Sequence, residues 1–169
     1  MSDGIVVWIT GLSGAGKSTI SKRVAALLRQ RGDSCVLLDG DEVRRAFPIF
    51  HAGYDRASRL PHARRNSELA KLISEQGHIV VLATMSLFSE VQEWNRANFP
   101  AYLEVFVDVP LAVLKARDHN GLYPCAEQGL AKNVAGIDLA YDALVRPDLV
   151  VDNSGDISKI EDIALAIAN

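Results

Sequence analysis

The stretch Gly11-Leu12-Ser13-Gly14-Ala15-Gly16-Lys17-Ser18 has the residue types of a phosphate cradle. It fits the spacing G-x-x-x-x-G-K-[ST], in which glycines let the backbone curl until several N–H groups point inward. The N-terminus of a following helix would add partial positive charge. In that motif Lys17 reaches the β/γ-phosphates of a nucleotide, and the Ser18 hydroxyl sits on Mg²⁺. Gly11, Ser13, Gly14, Ala15 and Gly16 supply the wall of the cradle. The chemistry expected is phosphate binding.

That motif needs a strand before it and a helix after it. Residues 5–10 form a continuous apolar run rich in β-branched side chains, as a buried parallel strand should. Residues 19–28 then carry apolar side chains at helical spacing. A second strand is expected over 34–38, after the helix-stopping Gly32, and it runs into Asp39-Gly40-Asp41, where Asp41 is placed to cap a short helix. Residues 47–60 lack a period and read as an ordered loop over the site. Pro61 suits the first turn of a helix reaching about residue 76, with Leu69, Leu72 and Ile73 as its apolar stripe.

Strands are further expected over 78–83, 102–109 and 148–152, and helices over 86–98, 111–118 and 157–168. Residues 119–147 hold several glycines and little periodicity, and read as a mobile lid. This alternation predicts an α/β fold: a P-loop NTPase of the nucleotide-kinase type, three-layer α/β/α, with a five-stranded parallel sheet and a lid. One domain should span residues 1–169. The strand order expected for that class is 2-3-1-4-5.

Composition narrows the function. At 169 residues the chain can bury a substantial core. A formal net charge of -3 argues against a nucleic-acid binder that relies on bulk electrostatics. No apolar stretch approaches the ~20 residues that cross a bilayer. No signal peptide is evident, because charged Asp3 is followed at once by a strand, so the cytoplasm is the expected compartment. Cys35 and Cys125 lack metal-ligand spacing, and His51, His78 and His119 have no ligand partner one helical turn away.

The class of P-loop protein also follows from the chain. The pattern D-x-x-G occurs at Asp118–Gly121 and Asp152–Gly155, but neither follows the third strand, and no N-K-x-D base reader is present. A GTPase is therefore disfavoured. The chain is too short for an ATPase motor and suits an enzyme that phosphorylates a small molecule.

The run Gly11 to Thr19, Leu38-Asp39-Gly40-Asp41 with Arg44, Gly53-Tyr54 with Arg59, Arg64-Arg65, Arg117-Asp118 with Gly121-Leu122-Tyr123, and Gly136-Ile137-Asp138 resembles the adenylylsulfate kinase family. The resemblance covers nearly the whole chain. It implies transfer of the γ-phosphate of ATP to the 3′-hydroxyl of a nucleotide, with ATP and Mg²⁺ as cofactors and a homodimer as the assembly. It implies that Asp41 receives the acceptor hydroxyl's proton, that Asp39 joins Ser18 on the Mg²⁺ side, and that Thr19 belongs to the ATP-binding loop. Arg44, Arg59 and Arg64 match acceptor-binding arginines, whose guanidinium forks suit phosphate and sulfate oxygens. Arg117 matches a residue near the ATP base and phosphates. Ser86 matches a serine beside the site, and also suits a helix cap.

Some acceptor-side positions depart from the family pattern. Tyr54 stands where Phe is usual, His62 replaces an asparagine, Ser58 an aspartate, Asn120 a lid lysine and Leu87 a proline. Val134 replaces an aromatic residue that would stack on adenine. The stretches 83–88, 94–96 and 132–136, which include Asn133 and Val134, are similar to a divergent branch that contains cytidine diphosphoramidate kinases. Two acceptors therefore stay open, adenylyl sulfate and a cytidine nucleotide, beside a third reading as a non-catalytic nucleotide-binding module.

Overall fold

The computed structural model describes residues 4–47, 53–142, 146–155 and 159–169. Five strands, β1 (Val6–Thr10), β2 (Cys35–Asp39), β3 (Ile79–Ala83), β4 (Tyr102–Asp108) and β5 (Leu149–Asp152), pair in parallel in the order β2-β3-β1-β4-β5. That is the order expected from the sequence. β1 lies between β3 and β4, with Val6 opposite both Val80 and Tyr102. Every one of its residues is buried, which is why the run needs no polar alternation.

Alternate residues of β1 feed two different layers. Val7 and Ile9 pack with Ile20, Val24 and Leu28 of α1 (Lys17–Gln30) and with Ile163 and Ile167 of α7 (Lys159–Ala168). Val6 and Trp8 face the other way, toward Val80, Leu82, Phe88 and Val91. On that side lie α3 (Arg56–Ser74) and α4 (Ser89–Asn98). Full burial of one such side chain is worth about 1.5–3 kcal/mol. The solvent-screened pair of Arg23 with Glu161, which also joins α1 to α7, is secondary to that packing.

Several expected boundaries shift. β2 runs to Asp39, and Asp39, rather than Asp41, caps α2 (Gly40–Ala46) by accepting the Asp41 N–H at 2.9 Å. Asp41 stands in the first turn. α3 begins at Arg56 instead of Pro61, because Asp55 caps it by accepting the Ser58 N–H at 2.8 Å. Pro61 is exposed there, and so is Ala57, whose carbonyl lies one turn earlier and can turn to water. Arg59 therefore sits on a helix.

The buried face of α3 is His62, Ala63, Asn66, Ser67, Ala70 and Ser74, while Leu72 is exposed. Of the expected stripe, Ile73 packs against the core beside Leu60, and the fully buried positions carry mostly small side chains. Residues 48–52, including His51, lie outside the described residues.

α4 starts at Ser89, so Ser86 does not cap it. The cap comes from a distance: the Asp142 carboxylate accepts from the Ser89 N–H at 3.0 Å and its hydroxyl at 3.1 Å, and Arg56 pairs with the same group at 3.2 Å. Between α5 (Leu111–Arg117) and β5 the chain is less irregular than expected. It contains α6 (Leu122–Glu127) and a turn in which Asp138 accepts from Asn133 N–H at 2.8 Å and Val134 N–H at 2.7 Å.

Strand β4 carries a buried carboxylate that meets Arg96 of α4. Glu104 is 1% exposed, and Arg96 donates to its Oε2 at 2.9 Å and to Asp148 Oδ1 at 3.1 Å. Burial raises the Glu104 pKa above the usual carboxylate range, against the opposing pull of Arg96. Arg96→Met should therefore destabilise the fold by about 2 kcal/mol at pH 8, below the full cost of breaking a fully buried pair because Arg96 is partly exposed. A raised carboxylate pKa means that stability falls as pH rises through it, so the penalty should shrink toward pH 5 as Glu104 takes up its proton. Urea denaturation of both proteins at the two pH values measures this.

Candidate active site

The loops leaving β1, β2 and β3 converge on a cavity of about 1010 Å³ at the carboxyl ends of the strands. Its floor is the glycine loop, with Ser13, Gly14, Gly16, Lys17, Ser18 and Thr19 in the wall. Gly11 and Ala15 lie beneath this surface and shape it. At Gly11 the φ is 150° and a Cβ would fall 2.6 Å from the Val107 carbonyl oxygen, so only glycine lets β1 turn into the loop here. Gly16, with φ 93°, is the N-cap of α1 and starts the helix whose dipole faces the cavity.

Lys17 folds back over the loop and donates to the Leu12 carbonyl at 2.8 Å. Loss of hydration lowers its pKa to about 8, although the Asp41 and Asp39 carboxylates pull the other way. Ser18 Oγ donates to Asp39 Oδ2 at 2.6 Å, while Asp39 Oδ1 takes the Asp41 N–H. One carboxylate thus joins the glycine loop to the start of α2 and sets where Asp41 stands. Asp41 lines the cavity a residue beyond Gly40.

The opposite wall is cationic and aromatic. Two guanidiniums stand near the Tyr54 ring, Arg44 at 4.9 Å and Arg59 at 5.5 Å from its centre. Arg59 also donates to the Tyr54 carbonyl and, at 2.9 Å, to the Asn133 carbonyl. Burial and the neighbouring Arg44 lower its pKa from the usual guanidinium value. Asn133 has a left-handed backbone, φ 63°, held by Asp138 on its N–H and Arg59 on its C=O. Val134 completes this wall as a buried aliphatic surface. His62 is also buried in the wall, with Nε2 3.1 Å from the Gly40 carbonyl, so α3 braces the turn between the two acids.

Besides Gly11 and Ala15, three expected site residues stand outside the cavity wall. Arg64 points to Glu90, with which it pairs at 3.0 Å. Ser86 is 1% exposed, and its carbonyl accepts from Thr10 Oγ1 at 3.4 Å. Arg117 donates to the carbonyls of Asn153 at 2.6 Å and Gly155 at 2.5 Å, fastening the loop after β5.

Other contributors were not singled out from the sequence as site residues. Arg45, Thr84, Met85 and Lys132 line the cavity. Tyr123 and Asn153 hold the glycine loop from behind, Tyr123 by donating to the Ser13 carbonyl at 2.6 Å. Burial, with Asp118 nearby, pushes its phenol up to about 12, so it stays a donor. Tyr123, Thr84, Met85 and Lys132 lie in stretches that carry the family resemblance, which was their signal in the sequence; Arg45 and Asn153 gave none.

A parallel sheet in this order, a glycine loop with its lysine and hydroxyl, and two acids at and just after the end of the edge strand β2 define a P-loop kinase. The adenylylsulphate kinase family model matches residues 3–152. An adenylyl-sulfate kinase of Aeromonas salmonicida is 43% identical over 153 residues, 89% of this chain and 78% of that protein. A cytidine diphosphoramidate kinase of Campylobacter jejuni is 35% identical over 149 residues, 88% and 86% of the two chains. The Mycobacterium tuberculosis APS kinase CysC in complex with AMPPNP and APS superposes with a TM-score of 0.89 at 33% identity, covering 99% of this chain and 96% of that one. The chain belongs to the adenylylsulfate kinase family, phosphotransferases with an alcohol group as acceptor.

The lowered Lys17 pKa has a measurable consequence. A polyphosphate beside the ammonium favours its charged form, so its pKa must rise when a nucleotide binds. Binding of ADP at pH 8 should therefore take up about half a proton at Lys17, and much less at pH 6.5, where the lysine is already charged. Calorimetric titration in buffers of different ionisation enthalpy measures this, and Lys17→Met should remove that uptake.

Proposed function

We propose that this chain transfers the γ-phosphate of ATP to the 3′-hydroxyl of adenylyl sulfate. The observation that carries the reading is that Lys17, Ser18, Asp39 and Asp41 share one cavity with Arg44, Tyr54 and Arg59. Anion-gripping groups thus stand on both sides of a positioned carboxylate. Ser13, Gly14, Gly16 and Thr19, with Lys17, hold the donor phosphates, and the α1 dipole adds to their field. Arg44 and Arg59 take the anionic end of the acceptor, and Tyr54 offers a ring to its base.

Asp41 accepts the proton of the 3′-hydroxyl as the new P–O bond forms and the bond to the β-phosphate oxygen breaks, leaving ADP. A carboxylate suffices, since proton loss need only follow the developing bond. Ser18 Oγ and Asp39 Oδ2, hydrogen-bonded to each other at 2.6 Å, are the hard oxygen ligands that Mg²⁺ takes, and no cluster of three His, Cys, Asp or Glu able to hold a metal occurs among the described residues. A metal that keeps its waters and shares phosphate oxygens suits such a sparse set. When bound, Mg²⁺ neutralises charge on the transferring phosphoryl group.

Residues 119–147 act in this reading as a lid, which closes through Asn133 and Val134 and keeps water from the phosphoryl group. Family membership also supports a homodimer. No helix among the described residues is long and apolar enough to cross a membrane.

Val134 supports a second reading. An aliphatic wall gives adenine little to stack on, whereas a smaller pyrimidine needs less, and the Campylobacter relative is a cytidine diphosphoramidate kinase.

Coupled ADP release with a panel of acceptors tests these readings. Adenylyl sulfate should be the preferred acceptor. Turnover with cytidine nucleotides alone would establish the second reading, and ATP binding without acceptor-dependent ADP would establish a non-catalytic module. Asp41→Asn should lower kcat by about 10²–10⁴-fold with little change in ATP affinity, as loss of a general base does. Equal loss of both would remove its assigned role. Lys17→Ala should abolish turnover while the far-UV circular dichroism stays unchanged.

A further inference from the structure

Asn153 follows β5 and does not line the cavity, yet its side chain is 4% exposed and Nδ2 donates to the Ala15 carbonyl at 2.8 Å. Ala15 and Gly16 share one peptide plane. In a trans peptide the C=O of one residue and the N–H of the next point in opposite directions. Fastening the Ala15 oxygen toward the β5 side therefore turns the Gly16 N–H away from it. Gly16 lines the cavity, and its N–H is donated to no backbone carbonyl among the described residues.

A second contact ties the same two positions. A Cβ on Gly16 would lie 2.4 Å from Asn153 Nδ2, so the amide occupies the space that a side chain would need. Asn153 is itself fixed, because Arg117 donates to its carbonyl at 2.6 Å and its N–H donates to the Asp108 carbonyl at 3.2 Å.

We infer that Asn153 is a positioning residue for phosphate binding, which sets the direction of the Gly16 N–H through the Ala15 carbonyl. The inference rests on the kinase reading above and extends it to a residue outside the cavity wall. Its contribution falls on the donor nucleotide, since the peptide it controls belongs to the glycine loop. The acceptor wall, built from Arg44, Tyr54 and Arg59, touches neither Asn153 nor Ala15.

Two variants separate the hydrogen bond from the volume. Asn153→Leu keeps the bulk and carries no charge, while Asn153→Asp keeps the planar shape; neither donates to Ala15 at neutral pH. Mg·ADP affinity, measured by titration calorimetry, should fall about tenfold in both, the weight of one hydrogen bond to a charged group. The KM for ATP should rise in step, with the KM for the acceptor within twofold of wild type. Unchanged Mg·ADP affinity in Asn153→Leu would overturn the inference. So would loss in Asn153→Leu with full affinity in Asn153→Asp, which would assign the effect to packing. An equal rise in both KM values would also overturn it, as general loosening. A wild-type protein that binds no Mg·ADP would instead remove the kinase reading itself. Should Asn153→Leu fail to fold, Asn153→Asp and Asn153→Ser decide the matter by the same comparison of the two KM values.

Discussion

The site depends on keeping a short run of backbone N–H groups turned inward against their own preference for carbonyl partners. Peptide groups in a loop will normally find acceptors close by. Here three carbonyls of the loop are taken up by side chains, Leu12 by the loop's own Lys17, Ser13 by Tyr123 and Ala15 by Asn153. Tyr123 reaches in from α6 and Asn153 from the loop after β5. Two separate parts of the chain thus stiffen eight residues from outside, and N–H groups such as that of Gly16 are left for a ligand.

The sheet supplies the same site with its acids. β2 delivers Asp39 at its last position, and the parallel order places that end two strands from the start of the glycine loop. Asp39 then spends one oxygen on Ser18 and the other on the Asp41 N–H. A single side chain serves as helix cap, hydroxyl acceptor and metal-side ligand in the proposed mechanism. Burial by His62 from α3 holds the intervening Gly40, so the spacing between loop and acids is fixed by packing as well as by hydrogen bonds.

Much of this was legible in the sequence because its signals are local. The apolar run before Gly11, the alternation of strands and helices and the position of Asp39-Gly40-Asp41 each depend on neighbours a few residues away. What escaped was set across the fold. Nothing near Asp55 or Pro61 announces that α3 starts five residues early, because the cap and an exposed carbonyl outweigh the proline. The face of α3 that is buried is small and polar, which periodicity of large apolar residues cannot find. Asn153 and Tyr123 reach the glycine loop over separations of 138 and 110 residues, and Arg64 turns to Glu90 on a different helix. Arg117 also fastens two carbonyls of the loop after β5, a contact that no local signal reveals.

The remote cap on α4 links two parts that otherwise share little. Asp142 closes the far end of the segment that carries Asn133 and Val134, and it satisfies the first N–H of α4 while gripping Arg56 at the start of α3. That end behaves as a staple. Displacing Asp142 would uncap α4 and remove one of the partners of Arg56, which also reaches Glu90 at 3.9 Å and the Phe88 ring. A movement that keeps the cap has to bend the glycine-bearing stretch between α6 and the Asp138 turn, where it meets the contact of Arg59 with the Asn133 carbonyl.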